Sequence, residues 1–90
     1  MSRRTDRLFR ITDEIERLDE EIRLTAEELA MLRHIDDDAR RDAAVGGPLE
    51  RDDARITSGD VARFEKALAD LEAKRARLED KRRKLLERLD

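Results

Sequence analysis

Two runs of apolar residues, each stepping alternately by three and four positions, constrain this chain more than any other feature. In the first half the series is Leu8, Ile11, Ile15, Leu18, Ile22, Thr25, Leu29 and Leu32. In the second half it is Val61, Phe64, Leu68, Leu71, Arg75, Leu78, Arg82, Leu85 and Leu89. A three–four alternation keeps a narrow stripe on one side of an α-helix, and a stripe sustained over several heptads is the seam of a coiled coil. Half of the 90 residues are charged and only 2 are aromatic, too little apolar volume to fill a compact core. Without periodicity such a composition would stay disordered; with it, the expectation is a long paired helix.

Strong helix breakers are confined to Gly46, Gly47 and Pro48, with a weaker one at Gly59. Ala, Leu, Glu, Arg and Lys dominate elsewhere, all good helix formers. Gly-Gly ends one helix, and Pro suits the first turn of the next. The flanking segments are similar in length, so the chain is expected to fold back here. The fold class is therefore all-α: an antiparallel two-helix coiled-coil hairpin in a single domain, with helices of roughly 40 residues. The expected boundaries are about 4–44 for helix one, about 36–58 for the Gly-Gly-Pro turn with an acidic tip, and about 58–89 for helix two. The late start of helix two rests on Thr57 as an N-cap with Asp60 at the third helical position, Ile56 and Val61 forming a hydrophobic staple. One continuous helix from Pro48 is the competing expectation.

Charge points to the same fold-back. Helix one carries an acidic block from Asp13 to Glu28, and helix two a basic block from Lys74 to Arg88. With Leu8 beside Leu89, Ile11 meets Leu85, Leu18 meets Leu78, Leu29 meets Leu68 and Leu32 meets Phe64, and the two blocks oppose each other. A single exposed pair contributes only about 0–1 kcal/mol, but many together select orientation and register. The basic run KRARLEDKRRKLLER is then answered inside the hairpin. Nucleic acid is not the expected partner: the net charge is −3, and no interleaved aromatic, Gly-rich or zinc pattern accompanies the bases. Arg75 and Arg82 fall on the seam, where an Arg can lay its stem on apolar neighbours and send its head to water. Past Leu32 the register sets Asp36 opposite Val61, Ala39 opposite Ser58 and Ala43 opposite Ala54, so the tip buries little apolar area and should be the least stable part.

Chemistry has little to work with. There is no Cys, and His34 is the single histidine, so neither a nucleophilic constellation nor a zinc site can be assembled. A calcium loop counted from Asp36 would need Gly sixth and Glu twelfth, where Arg41 and Gly47 stand. No enzyme activity, cofactor, metal or small-molecule substrate is expected. The longest apolar run is Leu29 to Leu32, so no membrane span is expected, and MSRRTDRLFR lacks the apolar core of a signal peptide. A cytoplasmic location is the default. The absence of Asn and Gln, with Arg favoured over Lys, fits a GC-rich coding bias.

What remains are apolar residues off the seam. Leu24, Met31 and Ile35 lie along one flank of helix one, with Glu28 in the row, while Phe9 and Leu86 gather at the open end. They either widen the seam and cover the loop, together with Leu49 and Ile56, or form a partner interface, since exposed apolar rows on charged surfaces mark such sites. The expected function is a non-catalytic protein–protein interaction or scaffold module, as a homodimer or with a heterologous protein. A second copy would extend the hairpin to a four-helix bundle. The alternative is a regulator that works through its acidic tip, Asp36, Asp37, Asp38 and Asp42. A coiled-coil finger with acids at its end resembles the bacterial transcription factors that enter the secondary channel of RNA polymerase, and coiled-coil anti-sigma factors are a further analogue. The spacing here departs from the Asp-x-x-Asp-x-Ala tip of the DksA-like factors, since Asp38 and Asp42 are four apart, and the second globular domain of the Gre-type factors has no counterpart. Nucleic-acid binding through residues 74–88 is a weaker alternative.

Overall fold

The computed structural model describes residues 2–89, and they form the all-α hairpin that the heptads predict. Helix α1 spans Arg3–Val45 and helix α2 spans Pro48–Leu89. No strand occurs among the described residues. Ser2 opens α1 as its N-cap: its Oγ accepts the Thr5 backbone N–H at 3.1 Å, and Asp6 in the first turn suits the positive end of the helix dipole.

The turn is built from Gly46 and Gly47. The Gly46 N–H donates to Asp42 O at 2.8 Å, closing the last turn of α1. Neither glycine has a positive φ, so Gly46 is required by space. A Cβ there would stand 2.6 Å from Glu50 Cγ and 2.8 Å from Asp42 O. The start of α2 corrects the boundary expected near Ser58, because the helix runs unbroken from Pro48 through Thr57, Ser58 and Gly59. Its N-terminus is capped earlier: with Gly47 as N-cap and Pro48 at the first helical position, Glu50 Oε2 reaches back to accept the Gly47 N–H at 2.8 Å. The expected box at Thr57 does not form. Thr57 Oγ1 lies 3.1 Å from Ala54 O, a bond back into the preceding turn that a helix interior permits, and Asp60 pairs with Arg63.

Contacts gather into two units. One joins the chain up to Arg23 with the chain from Ala69 onward; the other is Leu24–Leu68. In the first, Ile15, Leu18 and Leu78 form the buried cluster, with Ile11 and Leu71 packed against it. Leu18 and Leu78 thus share a layer, as the sequence register requires. Leu85 is also buried, whereas Leu89 stays exposed, so the seam thins before its last expected layer. In the second unit Leu29 and Val61 are buried, and Leu32, Phe64 and Leu68 are half-buried.

The charge pattern is used differently from the expectation. Between the acidic and basic blocks, Arg75 reaches across to Asp19. Arg82 instead pairs with Glu79 at 2.6 Å, Arg83 with Asp80 and Glu87, and Lys84 with Asp80 at 3.2 Å, all on α2. The reason is helical geometry: residues three and four apart on one helix are already neighbours, so even Arg82, at a seam position, meets an acid of its own helix. Lys74, Arg77 and Lys81 form no ion pair with a described residue.

Candidate functional site

Asp36 occupies the α1 seam position seven residues after Leu29, and it is the one charged residue buried among the described ones, with 4% of its surface exposed. Its Oδ1 accepts from Thr57 Oγ1 at 2.8 Å and from Ser58 Oγ at 2.9 Å. Oδ2 pairs with Arg40 Nε at 3.0 Å, and Arg40 Nη2 also donates to Ser58 Oγ at 3.3 Å. The Thr57 bond, above all, holds the Asp36 carboxyl below its usual range; partial burial opposes this, while Ser58 and the Arg40 charge add to it. A two-helix layer is thin, so the carboxylate stays charged where a deeper core would neutralise it. Asp36, one of the four acids read as the tip, is thus buried at the seam position that the register gives it opposite Val61. Asp37, Asp38 and Asp42 remain exposed, with Asp38 engaged by Arg41 at 3.2 Å.

Beside this network, within the Leu24–Leu68 unit, lies an open cleft of about 380 Å³. Seam residues Ala39 and Thr57 line it, Ile35 of α1 and Ile56 of α2 form its apolar part, and Asp38, Asp42, Glu50 and Asp53 supply carboxylates. Ile35 is 45% exposed and Ile56 62% exposed. One helical turn before Ile35 stands Met31, 59% exposed, and a heptad earlier Leu24, 51% exposed. A seven-residue step turns a helix by only about 20° from two full turns, so Leu24 and Met31 keep one side of α1, with Ile35 on the adjoining stripe.

All of these side chains stay about half open to solvent, with Ile35 and Ile56 beside Ala39 and Thr57 of the cleft. Leu49 and Val45 are exposed as well. Phe9 and Leu86, also exposed, belong to the other unit, so the five residues singled out from sequence do not make one patch within a unit. Ile56, expected as a staple partner of Val61 or as cover for the seam or loop, lines the cleft. Its signal was available: it lies seven residues after Leu49 and one position before the seam residue Thr57.

In the other unit one cleft has balanced charge, with Glu14 and Glu21 against Arg17 and Lys74, and two are basic. Arg7, Arg10 and Lys81 surround Ile11 and Leu78, with Glu14 at the edge, and Lys84 and Arg88 continue the basic surface beside Leu85. No group of acids, His or Cys suited to holding a metal ion is found among the described residues, and no helix is long and apolar enough to cross a membrane. Compared with family models, curated proteins and solved structures, the chain shows no significant match.

Proposed function

We propose that the chain is a non-catalytic protein–protein interaction module that docks a partner through the apolar row and acid-flanked cleft of the Leu24–Leu68 unit. The observation that carries this reading is the open row of Leu24, Met31, Ile35 and Ile56 in the unit whose seam buries Leu29 and Val61. These four side chains keep between 45% and 62% of their surface in water. In water such a row is a cost to solubility and a gain only when another surface covers it. Self-association as a homodimer is the favoured form, since a slim hairpin gains most by burying a second face.

Sedimentation velocity over a concentration series tests the reading, comparing the wild type with L24E/M31E/I35E. The expected result is association in the wild type, alone or with a bound protein, and its loss in the triple variant with helicity unchanged. Unchanged mass and partner binding in the triple variant would overturn it.

A second reading is a tip-directed regulator of a larger assembly. It draws on Asp37 and Asp42, exposed at the end of α1 and without an ion pair to any described residue. Asp37→Ala alone should abolish function under this reading and change nothing under the first, whose cleft contains Asp42 and not Asp37.

A further inference from the structure

We propose that the acidic cleft of the Leu24–Leu68 unit takes, from a second copy of this chain, the basic flank of its other unit. The inference rests on the interaction-module reading above and supplies its occupant. Ile35 and Ile56 stand exposed beside Asp42 and Asp53, and neither acid has an ion pair with a described residue. In the other unit, Arg7, Arg10 and Lys81 surround Ile11 and Leu78, and these three bases likewise have no ion pair among the described residues. The cleft has an exposed apolar part, whereas on the flank Leu78 is buried in the seam, Ile11 is half-buried and Glu14 lies beside the bases, so the match is one of charge: each surface carries an unanswered one, and the signs are opposite. Pairing cleft with cleft would set Asp42 and Asp53 against their own copies, and facing like charges are costly. Pairing cleft with basic flank gives each acid a cation and covers the isoleucines. Such a contact joins two different surfaces, so it closes when two copies exchange them and otherwise continues from copy to copy.

Charge reversal tests this by sedimentation velocity, with helicity measured on every variant. The wild type should associate, and its apparent dissociation constant should rise at least about tenfold from about 0.05 M to about 0.5 M salt, because rim charges are screened. D42K/D53K and R7E/R10E/K81E should each associate about tenfold more weakly or not at all. An equimolar mixture of the two should associate again, since the reversed cleft meets the reversed flank and the native cleft meets the native flank. D37K/D52K, which reverses two exposed acids outside the cleft, should behave as wild type. A mixture that stays dissociated while the wild type associates would overturn the cleft-to-flank contact and leave the apolar row as an interface of another kind. Salt-independent association would overturn it in the same way. A wild type that is monomeric throughout would also overturn it, and the interaction-module reading would then stand or fall on a different protein partner. If a reversed variant loses helicity, D42S/D53S and K81S in its place must still weaken association for the contact to hold.

Discussion

Asp36 on α1 accepts a 2.8 Å hydrogen bond from Thr57 on α2, so the layer nearest the tip that closes between the helices is polar. Ser58 and Arg40 complete it, and no buried side-chain polar atom among the described residues lacks a partner. A polar residue at a seam position sets register because only one alignment satisfies it. Here the flanking seam residues Ala39, Ala43 and Ala54 offer little apolar discrimination, so the carboxylate supplies the alignment that packing cannot.

Asp36→Ala should therefore lower the melting midpoint and the amide-exchange protection of the Leu24–Leu68 unit, whereas Asp37→Ala, one position off the seam, should leave both unchanged. Asp36→Leu separates register from stability. It should restore much of the midpoint while admitting alternative helix pairings, seen as extra species in sedimentation. A single species with wild-type exchange protection would show that Asp36 does not specify register.

Acid should destabilise the hairpin in a defined direction. Arg75 holds the Asp19 carboxyl below its ordinary value, mainly through their hydrogen bond, and Thr57 does the same for Asp36. Each depressed carboxyl contributes stability that is fully present above its unfolded value of about 3.9 and is lost as pH falls through its lower folded value. Thermal melts should fall in midpoint from about pH 5 downward, and the drop should be smaller in Asp36→Asn and in Asp19→Asn. An equal drop in both variants would place the acid sensitivity elsewhere.

The turn distinguishes its two glycines. Gly46→Ala forces a Cβ to within 2.8 Å of the Asp42 carbonyl oxygen, a backbone atom that cannot move aside cheaply, and should cost about 1–3 kcal/mol. Gly47→Ala meets nothing nearer than 3.6 Å and should be tolerated. Urea denaturation of both variants reads the difference; equal midpoints would mean that the turn relaxes around the added methyl.

Seam and flank should respond in opposite ways. Leu18→Ala removes a side chain from the buried Ile15–Leu18–Leu78 cluster and should cost about 2–5 kcal/mol. Met31→Ser, on the exposed row, should change stability by less than about 0.5 kcal/mol while weakening association. Denaturation and sedimentation on the same pair of variants check both halves. A large stability loss in Met31→Ser would assign the row to the fold.

The sequence by itself determined the hairpin. Its three–four steps settle which side of each helix is covered, because a seam of period 3.5 leaves a coiled coil little choice. The Leu18–Leu78 layer, the place of Asp36 on the seam and the turn at Gly46–Gly47 all follow from that pattern. Tertiary structure decided what local signals left open. The box expected at Thr57 does not form: the start of α2 is capped at Gly47, whose N–H Glu50 accepts, and the Thr57 hydroxyl donates across the seam to Asp36. The acidic and basic blocks suggested pairing between helices, yet among the described residues of the basic block only Arg75 reaches an acid of the other block, while Arg82, Arg83 and Lys84 pair with acids on α2, since a neighbour one turn away is nearer than one across the seam. The fate of Ile35 and Ile56 was decided last, by a hairpin too narrow to cover them: heptad spacing says which residues face the partner helix, and only the packed pair shows which apolar side chains that partner leaves in water.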